Sequence, residues 1–182
     1  ILSILLSHFN LVYSKVTTIY KTSNQDYISY AQFLNELPRH GHTIMGEYHN
    51  DPAIQNAQAQ IIEDKVLLEQ AQDDFSLMWE FLNYTDQPKI DSVYSDLKNN
   101  IIDTKSFLEQ TVGKSNNSYS SIIDITAHLN GKILGINLPR SLKQIVVKDG
   151  ITALDSKYIP KAHFSGNEDY LERFKLAMGG HV

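Results

Sequence analysis

Glu47 and His49 stand on either side of Tyr48, directly after the apolar run Thr43-Ile44-Met45. In an extended chain, residues i and i+2 point to the same side. A carboxylate beside an imidazole can transfer protons, bind a metal or hold a polar ligand. The same pair could instead serve only to cap the helix that follows. Glu80 breaks the apolar run Phe75-Ser76-Leu77-Met78-Trp79-Glu80-Phe81-Leu82 with a single charge. A carboxylate among apolar residues is costly unless paired. Glu80 is therefore expected to be buried, either in an ion pair with Arg140 or as a site acid facing Glu47 and His49. Arg140 follows Asn137-Leu138-Pro139. Its guanidinium suits carboxylates through paired donors, and pairing with Glu80 or Glu47 is its first expected role.

These groups need elements to place them. Thr43–Met45, Phe75–Leu82 and Lys132–Asn137 read as buried strands. Asp51 is a good N-cap and Pro52 suits the first helical position. Ile54, Ala57, Ile61 and Leu68 then recur on one helical face. Helical spacing also marks residues 26–37, through Tyr27, Tyr30, Phe33, Leu34 and Leu37. It returns from Tyr119 to Ala127, where Asn130-Gly131 follows, and from Pro139 to Gly150. A last helix is expected from Ser165, with Leu171, Phe174 and Met178 as its apolar stripe.

Alternating strands and helices predict an α/β fold, a parallel central sheet flanked by helices. Residues 84–130 are polar and read as a helical insertion. In such sheets ligands bind beyond the carboxyl ends of the strands. Glu47 and His49, Glu80, and Asn137 to Arg140 all fall at such ends.

Composition narrows the function classes. The chain has 182 residues, 42% of them hydrophobic, which suits a globular domain with a sizeable core. A net charge of −5 without a long basic run argues against general nucleic-acid binding. With no cysteine there is no disulfide, no thiolate metal site, no cysteine nucleophile and no lipid-bearing cysteine within these residues. The apolar opening from Ile1 to Val12 is too short for a membrane span and leads to Val12-Tyr13-Ser14, a signal-peptidase pattern. Residues 1–14 are expected to be the remnant of an export signal, placing the mature protein in the periplasm or at the outer membrane.

Four blocks in order resemble the ChaN family. The first is Thr43-Ile44-Met45-Gly46-Glu47-Tyr48-His49-Asn50-Asp51-Pro52 with Gln58 on the following helix. The second is Glu80 in its apolar strand. The third is Gly135-Ile136-Asn137-Leu138-Pro139-Arg140, with Tyr119 upstream and Gly150 after. The fourth is Tyr170, Phe174, Met178 and His181 on an aromatic helix. The resemblance implies an iron-regulated bacterial protein that binds haem between two subunits, each iron taking a tyrosine. A phenolate is a known ligand of ferric haem. Tyr170 is the expected iron ligand because it lies near His181, with Tyr48 and Tyr84 as alternatives. Arg140, Glu47, His49, Glu80 and His181 complete the expected haem site. A homodimer partner and an outer-membrane haem receptor are the implied partners.

The resemblance also implies one ChaN-like domain over residues 15–182, incomplete at its C-terminus. The chain departs from the family at Ile54 and Gln55, where histidines are usual, and in the absent lipid-anchor cysteine. A competing reading comes from the wider fold group, which includes esterases and metal-dependent proteases. There His49 would be the general base or a metal ligand, with Glu47 and Glu80 orienting it or binding the metal. A third reading is an interaction domain with a merely structural polar edge.

The export reading makes a direct prediction. Mature protein isolated from its host should begin after Ser14 by mass spectrometry; a mature start upstream of that point would refute it.

Overall fold

The computed structural model describes residues 18–113, 117–159, 167–169, 172, 173 and 176. The expected export-signal remnant, Tyr170, His181 and most of the last expected helix lie outside the described residues. The chain divides into two compact units, residues 1–137 and 138–182.

The first unit opens with an antiparallel hairpin, β1 (Thr18–Lys21) and β2 (Asp26–Ser29), where Tyr20 faces Tyr27. Residues 26–29 are thus strand, and only Tyr30–Glu36 form helix α1. Helical spacing there is overridden by pairing to β1 and by the capping box of Ser29 and Gln32, which starts the helix. Helix α2 (Pro52–Glu69) begins as its sequence predicts: the Asp51 carboxylate accepts from Ala53 N at 2.9 Å, and Pro52 takes the first turn.

The central sheet is parallel, with β3 (Ser76–Asn83) beside β4 (Lys132–Asn137). Between them run α3 (Gln87–Lys98), α4 (Thr104–Thr111) and α5 (Ser120–His128). This is the α/β class the pattern predicts. The core forms where Trp79, Leu82 and Ile133 of the strands meet Ile90 and Val93 of α3, Phe107 and Leu108 of α4, and Ile122 and Ile123 of α5. Gln87 finishes the sheet on one side: its amide accepts from Gly135 N and donates to Ile133 O, both at 2.9 Å. One side chain thereby satisfies two backbone groups of β4, Ile133 O and Gly135 N.

Three expectations are corrected. Thr43–Met45 forms no strand; residues 42–49 carry no regular structure and Ile44 is 95% exposed. A strand needs a ladder partner, and among the described residues this segment has none. The buried side of α2 is not the stripe of Ile54, Ala57, Ile61 and Leu68. It is Gln55, Gln58, Ala59, Gln60 and Val66. Glu80 is the third: its side chain is 66% exposed. Strand alternation turns Trp79 inward and Glu80 outward.

The second unit holds α6 (Arg140–Asp149) and two short 3-10 turns, Ile151–Ala153 and Ser156–Tyr158. Pro139 sets the start of α6, and Gly150 ends it with φ +83°, a conformation that favours glycine. Among the described residues, no helix is long and apolar enough to cross a membrane.

Gly135 is the tightest point of the sheet. A Cβ built there would lie 2.5 Å from the backbone oxygen of Asn83. Backbone cannot step aside as a flexible side chain can. Gly135→Ala is therefore expected to destabilise the fold by about 1–3 kcal/mol, measured by urea denaturation; an unchanged midpoint would show that the strand ends are not in close contact.

Candidate functional site

The segment Gly46–His49 is held by side chains where a sheet would have used backbone. Gln58 Nε2 donates to Gly46 O at 3.3 Å, and Gln55 Nε2 donates to Tyr48 O at 3.4 Å. Burying two glutamines on α2 is tolerable because their amides replace the missing ladder. Asn50, at φ +65°, then turns the chain into Asp51 and the helix.

Glu47 is the hub of this arrangement. Its Oε1 accepts from the Tyr119 hydroxyl at 2.7 Å and lies 2.8 Å from His49 Nδ1. Its Oε2 accepts from Gln55 Nε2 at 3.2 Å. Burial pushes the Glu47 carboxyl up. The hydrogen bonds from His49, Tyr119 and Gln55, with the attraction of His49, outweigh it and bring the net shift down. Glu47 is thus held as a carboxylate. The Tyr119 phenol is pushed up to about 12 by burial and by its bond to Glu47, so it remains a donor. The Gln55 side chain is wholly buried, and among the described residues its Oε1 has no hydrogen-bond partner.

Fixing Nδ1 of His49 leaves Nε2 directed away from Glu47, 4.0 Å from Glu80 Oε1. The structure therefore brings Glu47, His49 and Glu80 into one line, with the imidazole between two carboxylates. Within the first unit the ion contact of Glu80 is with His49, and the expectation of a buried Glu80 gives way to this exposed arrangement. Arg140 is the exposed first residue of α6 in the second unit. Among the described residues, no group of three His, Cys, Asp or Glu is arranged to hold a metal ion. The line can orient an imidazole and move a proton at its Nε2.

Beside it lies a small open hollow of about 140 Å³, lined by His49, Asn50, Trp79, Phe81, Leu108, Val112 and Tyr119. Trp79, Phe81 and Tyr119 pack with ring centroids 5.0–5.4 Å apart, and the His49 ring sits edge-on to Phe81 at 5.2 Å. Its walls are apolar and aromatic with a few polar groups, and its volume is below that of a site enclosing a drug-sized ligand. Of the alternative ligand tyrosines, Tyr48 is strongly exposed beside Glu47, and Tyr84 sits in the 3-10 turn after β3.

Two residues gain roles that spacing did not reveal. Tyr119 figures in the sequence only as a spacing match, yet it carries the short bond to Glu47. Gln55 figures only as a departure from histidine. The readable signal for Gln55 was its place one turn into α2, on the side of Gln58. Tyr119 is 72 residues from Glu47 in sequence, and only the packing of the turn before α5 joins them.

The pH dependence has a definite sign. Because Glu47 is lowered, the stability it contributes is present above the ordinary glutamate value and is lost as pH falls through its lowered one. Because Tyr119 is raised, its contribution is present below its ordinary value of 10.0 and is lost as pH rises through about 12. Tyr119→Phe should destabilise by about 1.5–3 kcal/mol near neutrality, a charge-assisted hydrogen bond. The deficit should shrink at both pH extremes in chemical denaturation; a deficit independent of pH would refute the bond.

No curated protein matches the chain. Among solved structures, one described as cofacial haem binding to ChaN of Campylobacter jejuni matches with a TM-score of 0.67 and 20% identity. The match takes in 93% of this chain and 65% of that one, so the chain spans less than two thirds of that protein's length. At that identity the likeness is one of fold. The family model for haem-binding uptake proteins of the Tiki superfamily, ChaN, matches residues 33–182. Haem is thus the cofactor of the group to which the sequence and the fold both lead, and the chain belongs to the ChaN family.

Proposed function

We propose that this chain binds haem in bacterial iron acquisition and holds the ferric iron through a tyrosine. The family match over residues 33–182 carries this reading. Bound haem would supply a ferric centre that a phenolate can ligate. The protein's part is to shield the macrocycle and to neutralise the propionates. Tyr170 is the proposed ligand, with Tyr48 and Tyr84 as the next candidates. His181 is proposed beside it and Arg140 at the propionates, as a guanidinium can bind a carboxylate through two donors. Glu47, His49 and Glu80 border the aromatic pocket. Two copies enclosing the haems, an outer-membrane receptor as donor or acceptor, and a periplasmic or outer-membrane location complete the proposal.

A second reading rests on one observation, the 2.8 Å contact of His49 Nδ1 with Glu47. A carboxylate that orients an imidazole also serves a general base. In that reading His49 would activate water for hydrolysis, Glu47 would orient it, and Glu80 would stabilise its protonated form.

Titration of the purified protein with ferric haem separates the two. The haem reading expects a shifted Soret band with the visible spectrum of a tyrosinate complex, weakened in Tyr170→Phe without loss of fold. Retention of that spectrum in Tyr170→Phe moves the ligand to Tyr48 or Tyr84. An absent spectral change, together with ester or peptide hydrolysis that His49→Ala abolishes, establishes the second reading instead.

A further inference from the structure

Charge is divided unevenly between the two units. Residues 138–182 hold seven Lys and Arg against five Asp and Glu, a net of +2, in a chain whose net charge is −5. Residues 1–137 therefore stand at −7. Helix α6 gathers cations on one side. At about 3.6 residues per turn, Leu142, Ile145 and Val146 share a face, and they are half-buried. Arg140, Lys143, Gln144, Val147 and Lys148 share the opposite face, and all five are exposed. Asp149, the one carboxylate of the helix, falls in line with Leu142 and Ile145, away from the cations. Val147 is 87% exposed in the middle of the cationic face. None of the ion pairs among the described residues uses Arg140, Lys143 or Lys148. Lys143, Val147 and Lys148 have no part in the haem site proposed above.

A face of one sign calls for a partner of the other, and its side chains narrow the kind. Protein interfaces are depleted in lysine and anchored by aromatic side chains, and α6 has no aromatic residue. Nucleic acid needs more phosphate contacts than three cations make, against a chain at −5. A layer of anionic headgroups asks for neither pockets nor fixed geometry. Flexible ammonium groups meet its diffuse charge while their apolar stems lie against the acyl boundary. An exposed valine between two lysines adds apolar surface at that depth. We infer that the outward face of α6 docks on an anionic phospholipid surface, with Lys143 and Lys148 at the headgroups and Val147 between them at the acyl boundary. Such a surface attracts the second unit and repels the acidic first unit, so contact is made through α6. The docking goes beyond the haem reading and does not depend on it.

The test uses the full chain without haem, so the fate of the haem reading does not enter it. Sedimentation with vesicles of phosphatidylcholine alone, and of phosphatidylcholine mixed with phosphatidylglycerol, measures binding. Wild type should bind the mixed vesicles, leave the neutral ones, and bind less as salt is raised. Lys143→Gln and Lys148→Gln should each weaken binding on the order of five-fold, and together on the order of twenty-five-fold. All three positions are exposed, and circular dichroism checks that the fold is kept. Val147→Trp adds a reporter at the proposed depth. Its emission should shift to the blue on mixed vesicles, against the wild-type baseline set by the buried Trp79. Equal binding to both kinds of vesicle, binding to neither, or undiminished binding by the folded double variant would overturn the inference. So would an unshifted Val147→Trp emission on vesicles that carry the protein. Tighter binding to polyglutamate than to mixed vesicles would give the face to an acidic protein and overturn the lipid assignment.

Discussion

The carboxylate of Glu47 carries the local structure around it. It gathers the Tyr119 hydroxyl, His49 Nδ1 and Gln55 Nε2 from three parts of the chain. The segment it sits on has no strand ladder to hold it, so these side-chain bonds and those of Gln55 and Gln58 to backbone oxygens fix its course. Removing the charge would leave three donors competing for water inside a packed region, which costs more than one ordinary hydrogen bond. The orientation of His49 follows from that one ionised group, which together with burial keeps Tyr119 protonated.

The surrounding fold explains why the hub can exist. The end of β3, past its register shift, passes close to Gly135, and the Gln87 amide pairs with Ile133 O and Gly135 N. Phe107, Leu108 and Ile123 pack the insertion helices under the strands. That packing sets Tyr119, at the turn before α5, within reach of Glu47. A polar inner face on α2 would be a defect in an ordinary amphipathic helix. Here its glutamines have a use: Gln58 donates to Gly46 O, and Gln55 donates to Tyr48 O, which also accepts from Asp51 N.

Much of this was legible in the residues. Asp51-Pro52 marks the start of α2, Lys132–Asn137 reads as a strand, and Gly150 marks the end of α6, because caps and turns are set by local chemistry. The adjacency of Glu47 and His49 follows from their spacing, and the ordered motifs lead to the family. What was illegible depends on partners distant in sequence. Thr43–Met45 has the composition of a strand, but composition does not supply a neighbouring strand. Glu80 reads as buried when its apolar run is taken whole; alternation within a two-stranded sheet turns it to solvent. Tyr119 had no local signal and Gln55 only its place one turn into α2, since each matters through what it touches in the fold.

The central claim is that Glu47 is ionised and anchored by Tyr119. Carboxyl ¹³C NMR of the protein through an acid titration tests it most directly. The account predicts a Glu47 midpoint below the ordinary glutamate range, moving upward in Tyr119→Phe. A midpoint at or above that range, or one unmoved by Tyr119→Phe, would contradict it.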